Sequence, residues 1–115
     1  MNDKEKNVIQ TKVAEVLRDT GTRIQNKPFV RLADISSELG ELQKEILKAT
    51  SYGSCSIACN TKESITEEFG DMLYSMIAFA EENEIDIDDA LETVIQKYRD
   101  RFNHKGTVGS DRGRE

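Results

Sequence analysis

Residues 34–46 read DISSELGELQKEI, and this stretch decides the fold because it makes a single helical face both acidic and apolar. At about 100° per residue, Glu38, Glu41 and Glu45 fall within an arc of roughly 60°, beside an apolar stripe of Leu32, Ile35, Leu39, Leu42, Ile46 and Ala49. Like charges three and four residues apart repel on a helix. Placing them at the margin of a core adds a desolvation cost, so the cluster calls for a compensating positive charge. A bound cation is the simplest candidate.

Working outward, residues 64–83 repeat the pattern. Ile65, Phe69, Met72, Leu73, Met76, Phe79 and Ala80 predict a well-buried helix, interrupted by Glu67, Glu68 and Asp71. Ser64 with Glu67 fits a capping box at its start. Glu68 and Asp71 lie within about 60° of each other on the wheel, so two helices each offer an i, i+3 acidic pair to a shared groove. Four converging carboxylates suit a hard cation, Mg²⁺ or Mn²⁺, rather than a soft metal. Gly40 and Gly70 stand inside the two acidic motifs. Glycine costs about 1 kcal/mol against alanine in a helix, which points to close packing or to ligand approach.

The periodicity predicts two further helices. The first spans 3–20, with Val8, Ile9, Val13, Val16 and Leu17 on one side and Gly21 as its stop. The other follows Asp86, an N-cap with Asp88 and Asp89 in the first turn, and carries Ile87, Leu91, Val94, Ile95, Tyr98 and Phe102 to about Asn103. Residues 22–29, with the only proline, Pro28, read as a connection, and 53–63 as a polar loop. The expected architecture is all-α, a four-helix bundle formed by one domain over 1–103 with a polar, Gly-rich tail over 104–115.

Composition narrows the function classes. Thirty-seven per cent hydrophobic and 33% charged residues describe a water-soluble chain, and no apolar run approaches a membrane span or a signal peptide. The expected location is therefore cytoplasmic. A net charge of −6 disfavours nucleic acid and anionic membranes as partners. Cys55 and Cys59 are two cysteines where a structural zinc site uses four Cys or His ligands, and they read as free thiols, with a redox or disulfide role as the alternative. His104, the only histidine, lies outside any Glu-x-x-His di-iron pattern and supports no nucleophilic triad. Residues 106–110, GTVGS, lack the lysine and the strand-helix setting of a phosphate loop. A nucleotide would have to be held through metal and side chains. Lys97 and Arg101, i, i+4 neighbours with Lys105 next in line, supply cations that suit phosphate oxygens, although Lys and Arg near a helix C-terminus also complement its dipole.

ELGE at 38–41, EEFGD at 67–71 and KYRDR at 97–101 together resemble the MazG-like nucleotide pyrophosphohydrolases of the all-α NTP pyrophosphohydrolase superfamily, whose signature is ExxE, a variable gap, then ExxD. The resemblance covers roughly 32–102. It implies that Glu38, Glu41, Glu68 and Asp71 are Mg²⁺ ligands, that Lys97 and Arg101 contact phosphates, and that a nucleoside triphosphate is cleaved between its α and β phosphates. It also implies a homodimer or homotetramer that buries the outer face of the first helix. The chain departs from many relatives at Ser37, where they carry a glutamate that helps orient the attacking water. Glu41, Glu45 and Glu67 are the substitutes for that base. The departure also motivates an alternative, a helical bundle that binds metal and nucleotide without catalysis.

Overall fold

In the computed structural model, which describes residues 7–50, 62–107 and 109, four helices follow one another: α1 (Val8–Thr20), α2 (Pro28–Ala49), α3 (Lys62–Glu82) and α4 (Ile87–Lys105). No strand occurs among the described residues, so the all-α expectation holds. None of the four is long and apolar enough to cross a membrane. Cys55 and Cys59 lie outside the described residues.

Local chemistry sets the helix ends. Asn7 caps α1 by accepting from the N–H groups of Ile9 and Gln10 at 2.7 and 3.1 Å. Its stop is Gly21, whose φ of 66° is the left-handed conformation that glycine adopts without a Cβ penalty. Pro28, expected in a connection, instead opens α2 at its first position, where its fixed φ suits the helix and its missing N–H is not needed. Asp86 caps α4 as expected, accepting from the Asp89 N–H at 2.9 Å. Gly106, at φ 74°, ends that helix, so His104 and Lys105 belong to α4 rather than to a tail. Ser64 does not form a capping box. It lies inside α3, which begins at Lys62, and its hydroxyl donates to Glu45 Oε1 of α2 at 2.9 Å.

α2 and α3 form the main hairpin, and α1 packs across α3. The two long helices run antiparallel: Arg31 bonds Glu82, Asp34 bonds Ser75 and Glu45 bonds Ser64, so residue numbers fall on one helix as they rise on the other. The buried core is small. Val13 and Leu17 of α1 meet Ile77 and Ala78 of α3, with Tyr74 and Ile87 packed alongside. Gln10, 2% exposed, ties α1 to the α3–α4 corner: its amide donates to the Ile85 carbonyl at 2.8 Å and to Glu81 at 3.2 Å, and its oxygen accepts from the Ile87 N–H at 3.0 Å. A buried amide with its partners in place is a strong orienting group.

One expectation about burial needs correction. The apolar face of α3 is divided rather than buried throughout: Ile77, Ala78 and Ala80 are inside, whereas Phe69, Leu73 and Met76 are exposed. α4 has no buried residue and touches the other helices only sparsely. A Cβ built on Gly40 or Gly70 would meet no atom within 4 Å among the described residues, so close packing inside one chain does not explain either glycine.

Candidate metal centre

The antiparallel hairpin turns two sequence motifs into one ladder. On α2 the residues are Asp34, Glu38, Glu41 and Glu45; on α3 they are Ser64, Glu68, Asp71 and Ser75. Both series step by four, three and four residues, which keeps each on one helical face. The outer rungs are occupied: Ser75 Oγ donates to Asp34 Oδ2 at 2.8 Å and Ser64 Oγ to Glu45 Oε1 at 2.9 Å. The inner rungs hold carboxylates only. One carboxylate oxygen from each of Glu38, Glu68 and Asp71 comes within 4.8 Å of the others.

Electrostatics at the inner rungs follow from that crowding. Partial burial pushes the Glu38 carboxyl above its ordinary pKa, and the charges of Asp71, Asp34, Glu68 and Glu41 push it further. Glu68 is raised in the same way, by loss of hydration first and then by Asp71, Glu41, Glu45 and Glu67. Among the described residues no ion pair relieves Glu38, Glu41, Glu68 or Asp71. An all-oxygen, anionic donor set of this kind fits a hard divalent cation.

A stability prediction follows from the sign of these shifts. A carboxyl whose folded pKa is raised favours folding while protonated, and that contribution is lost as pH rises through the folded value. Without metal, ionised Glu38 and Glu68 therefore weaken the fold at neutral pH. Glu68→Gln is expected to raise the melting temperature of the metal-free protein at pH 7 and to diminish the further rise that Mg²⁺ gives wild type. A calorimetric scan with and without Mg²⁺ checks both; a variant less stable than wild type without metal would show that the acids are not in conflict.

The structure gathers some of the expected site residues and not others. Glu38, Glu68 and Asp71 come together. Glu41 is exposed, contributes to the field at both Glu38 and Glu68, and stays outside the group of three. Glu45 accepts from Ser64 and lies 3.7 Å from Lys48 Nζ. Glu67 is exposed on α3 and adds to the field at Glu68. Lys97 and Arg101 stand on α4, which helix packing within one chain does not bring to the carboxylates; Lys97 Nζ sits 5.5 Å from the Tyr98 ring centroid, a cation–π contact with its neighbour.

Sequence reasoning missed the buried polar group next to the ladder. Arg31, 8% exposed, donates to both Glu82 oxygens at 2.6 and 3.1 Å, to Asp34 Oδ2 at 3.2 Å and to the Thr22 carbonyl at 3.3 Å. Glu82 also accepts from the Ile24 N–H at 2.9 Å. The available signal was spacing: Asp34 lies four residues before Glu38, Ser75 four after Asp71, and Arg31 three before Asp34.

The all-α hairpin thus gathers Glu38 of the ExxE motif with Glu68 and Asp71 of the ExxD motif, the arrangement that the resemblance to the MazG-like family implies. Comparison with known proteins gives the same answer: the family model for the MazG nucleotide pyrophosphohydrolase domain matches residues 30–106, and the chain belongs to that family. It is similar to the uncharacterized protein YpjD of Bacillus subtilis (strain 168), with 31% identity over 110 residues, covering 93% of this chain and 95% of that protein. No solved structure matches the chain significantly.

Proposed function

We propose that this protein is a Mg²⁺-dependent nucleoside triphosphate pyrophosphohydrolase, converting a (d)NTP and water to (d)NMP and pyrophosphate in nucleotide-pool control or house-cleaning. The observation that carries the reading is the convergence of Glu38, Glu68 and Asp71 from the two family motifs. Glu38, Glu68 and Asp71 hold the cation, with Glu41 on the adjoining position; Mn²⁺ suits the same donors. When bound, the cation neutralises triphosphate charge and polarises the reacting groups. Water attacks the α phosphorus, the bond from that phosphorus to the bridging oxygen breaks, and pyrophosphate leaves. Glu41 accepts the water's proton, because its carboxylate borders the site and is exposed, whereas Glu45, a second candidate, already serves Ser64 and Lys48 and Glu67, the third, stands outside the ladder on α3. Lys97 and Arg101 bind phosphate oxygens in the assembled form, where packing between protomers would carry α4 to the carboxylates that packing within one chain does not reach.

Turnover of a panel of canonical and modified nucleoside triphosphates with Mg²⁺ tests the reading. Monophosphate plus pyrophosphate is the expected outcome. Orthophosphate would redirect attack to a terminal phosphate, and metal-dependent binding without any product would favour the non-catalytic module, with Ser37 as the first residue to change.

The active form we propose is a homodimer or homotetramer that buries the outer face of α1, where Val8 and Ile9 are exposed, together with the apolar faces of α3 and α4. Leu91, Ile95, Tyr98 and Phe102 form an uncovered stripe at four-three-four spacing, and Leu91 and Phe102 are 61% and 58% exposed. Light scattering is expected to give a multiple of the 13.0 kDa chain mass, and Leu91→Glu with Phe102→Glu is expected to reduce it to one chain. A wild-type monomer would refute the assembly.

A further inference from the structure

The site occupies the middle of a ladder whose ends are tied unequally. At one end Glu45 accepts from Ser64 Oγ at 2.9 Å, with the Lys48 ammonium at 3.7 Å from the glutamate. At the other end Asp34 Oδ2 accepts two hydrogen bonds, from Ser75 Oγ at 2.8 Å and from Arg31 Nη1 at 3.2 Å. Neither donor is free to move: Ser75 is 4% exposed, and Arg31 is gripped by Glu82 and by the Thr22 carbonyl.

We propose that Asp34, held by Ser75 and Arg31, is a positioning residue that fixes the register of α2 against α3 and thereby sets how tightly Glu38 and Asp71 hold a divalent cation. The inference rests on the metal reading above. Glu38 lies one turn beyond Asp34 on α2, and Asp71 one turn before Ser75 on α3. A helical turn transmits position through its own hydrogen bonds, so pinning the outer rung pins the inner one. Arg31 extends the hold to the end of α3 through Glu82 and to the α1–α2 connection through Thr22. Asp34 itself stands outside the group of three converging carboxylates. Its engaged oxygen therefore serves the hairpin, in the manner of the outer partners that orient metal ligands and whose loss weakens metal affinity roughly ten- to hundredfold.

Mn²⁺ alone is the probe, its binding to the full-length protein followed by calorimetric titration with free ion counted by electron paramagnetic resonance. Ser75→Ala keeps every acid and suits a helix, and it is expected to raise the Mn²⁺ dissociation constant roughly tenfold or more at unchanged helical content. Ser75→Thr, which retains the hydroxyl, is expected to restore affinity. A role limited to stability would lower the melting temperature of Ser75→Ala and leave its Mn²⁺ affinity intact, and that result overturns the proposal. Attraction of the cation by the Asp34 charge alone would likewise leave Ser75→Ala at wild-type affinity. Asp34→Asn keeps an amide oxygen to accept from Ser75 and Arg31 and removes only the charge, so its Mn²⁺ affinity is expected to stay near wild type, and it carries the test if Ser75→Ala does not fold. A roughly tenfold loss in Asp34→Asn would assign the effect to the Asp34 charge and overturn the proposal. Wild-type protein that binds no Mn²⁺ would refute the metal reading and this proposal together, whereas wild-type binding with an indifferent Ser75→Ala would refute this proposal alone.

Discussion

Asp71→Asn and Glu38→Gln are each expected to lower Mg²⁺-dependent turnover by about a hundredfold or more while leaving the helical content unchanged. Both side chains lie at the converging centre of the ladder, and each substitution replaces an anionic oxygen donor with a neutral amide of the same shape. Cation-assisted phosphoryl chemistry depends on several kcal/mol of charge stabilisation, and every 1.4 kcal/mol or so is tenfold in rate. The carboxylate lost is also one whose repulsion by its neighbours the bound cation relieves, so the metal-free fold should not suffer. Steady-state kinetics across a Mg²⁺ titration, with circular dichroism on the same samples, makes the comparison. Wild-type turnover in Asp71→Asn would remove that residue from the site.

Arg31→Met should cost about 3–5 kcal/mol of stability, the usual result of leaving one charge of a buried pair without its partner. The Glu82 side chain is 1% exposed and that of Arg31 is 9% exposed, so the stranded carboxylate has little access to water. Burial pushes the Glu82 carboxyl up, but the Arg31 hydrogen bonds, the Ile24 N–H and the charges of Arg31 and Arg23 outweigh it and hold the group below its ordinary value. Glu82 in turn raises the Arg31 guanidinium further, through its hydrogen bond first. A lowered carboxyl pKa stabilises the fold above the unfolded value, about 4.3, and the contribution disappears as pH falls through the folded value. Glu82 thus opposes Glu38 and Glu68, whose raised values favour the fold at acid pH. Urea denaturation from pH 7 down to pH 3 should show wild type losing stability at the acid end and Arg31→Met starting low with a shallower fall. Equal stability of the two proteins at pH 7 would show that the pair contributes nothing.

The acidic motifs were readable because an i, i+3 carboxylate pair beside an apolar stripe is unusual on any helix, and two with matched spacing point to one groove. The elements around them were harder to read. Ser64 looks like a cap, since serine three residues before glutamate commonly starts a helix; only the antiparallel pairing reveals Glu45 as its partner. Asp34 and Ser75 are ordinary polar residues until the hairpin places them on the same rung. Nothing in the sequence around Arg31 marks it for burial, which arises from Glu82, 51 residues away. Pro28 suits both a connection and a first helical position, and the competition was decided by the helix that follows it. The stripe on α4 announces an apolar face but not what covers it, because helical periodicity carries no information about whether the partner belongs to the same chain. Gly40 and Gly70 stood out by their cost, yet the space around each is open within this chain.

Hydrolysis of a nucleoside triphosphate in ¹⁸O-labelled water with Mg²⁺, with the label located by mass spectrometry, tests the central claim most directly. Attack on the α phosphorus predicts one labelled oxygen in the monophosphate, unlabelled pyrophosphate, and loss of both products in Asp71→Asn. Label in pyrophosphate or in orthophosphate, or products that form equally well without the Asp71 carboxylate, would contradict the account.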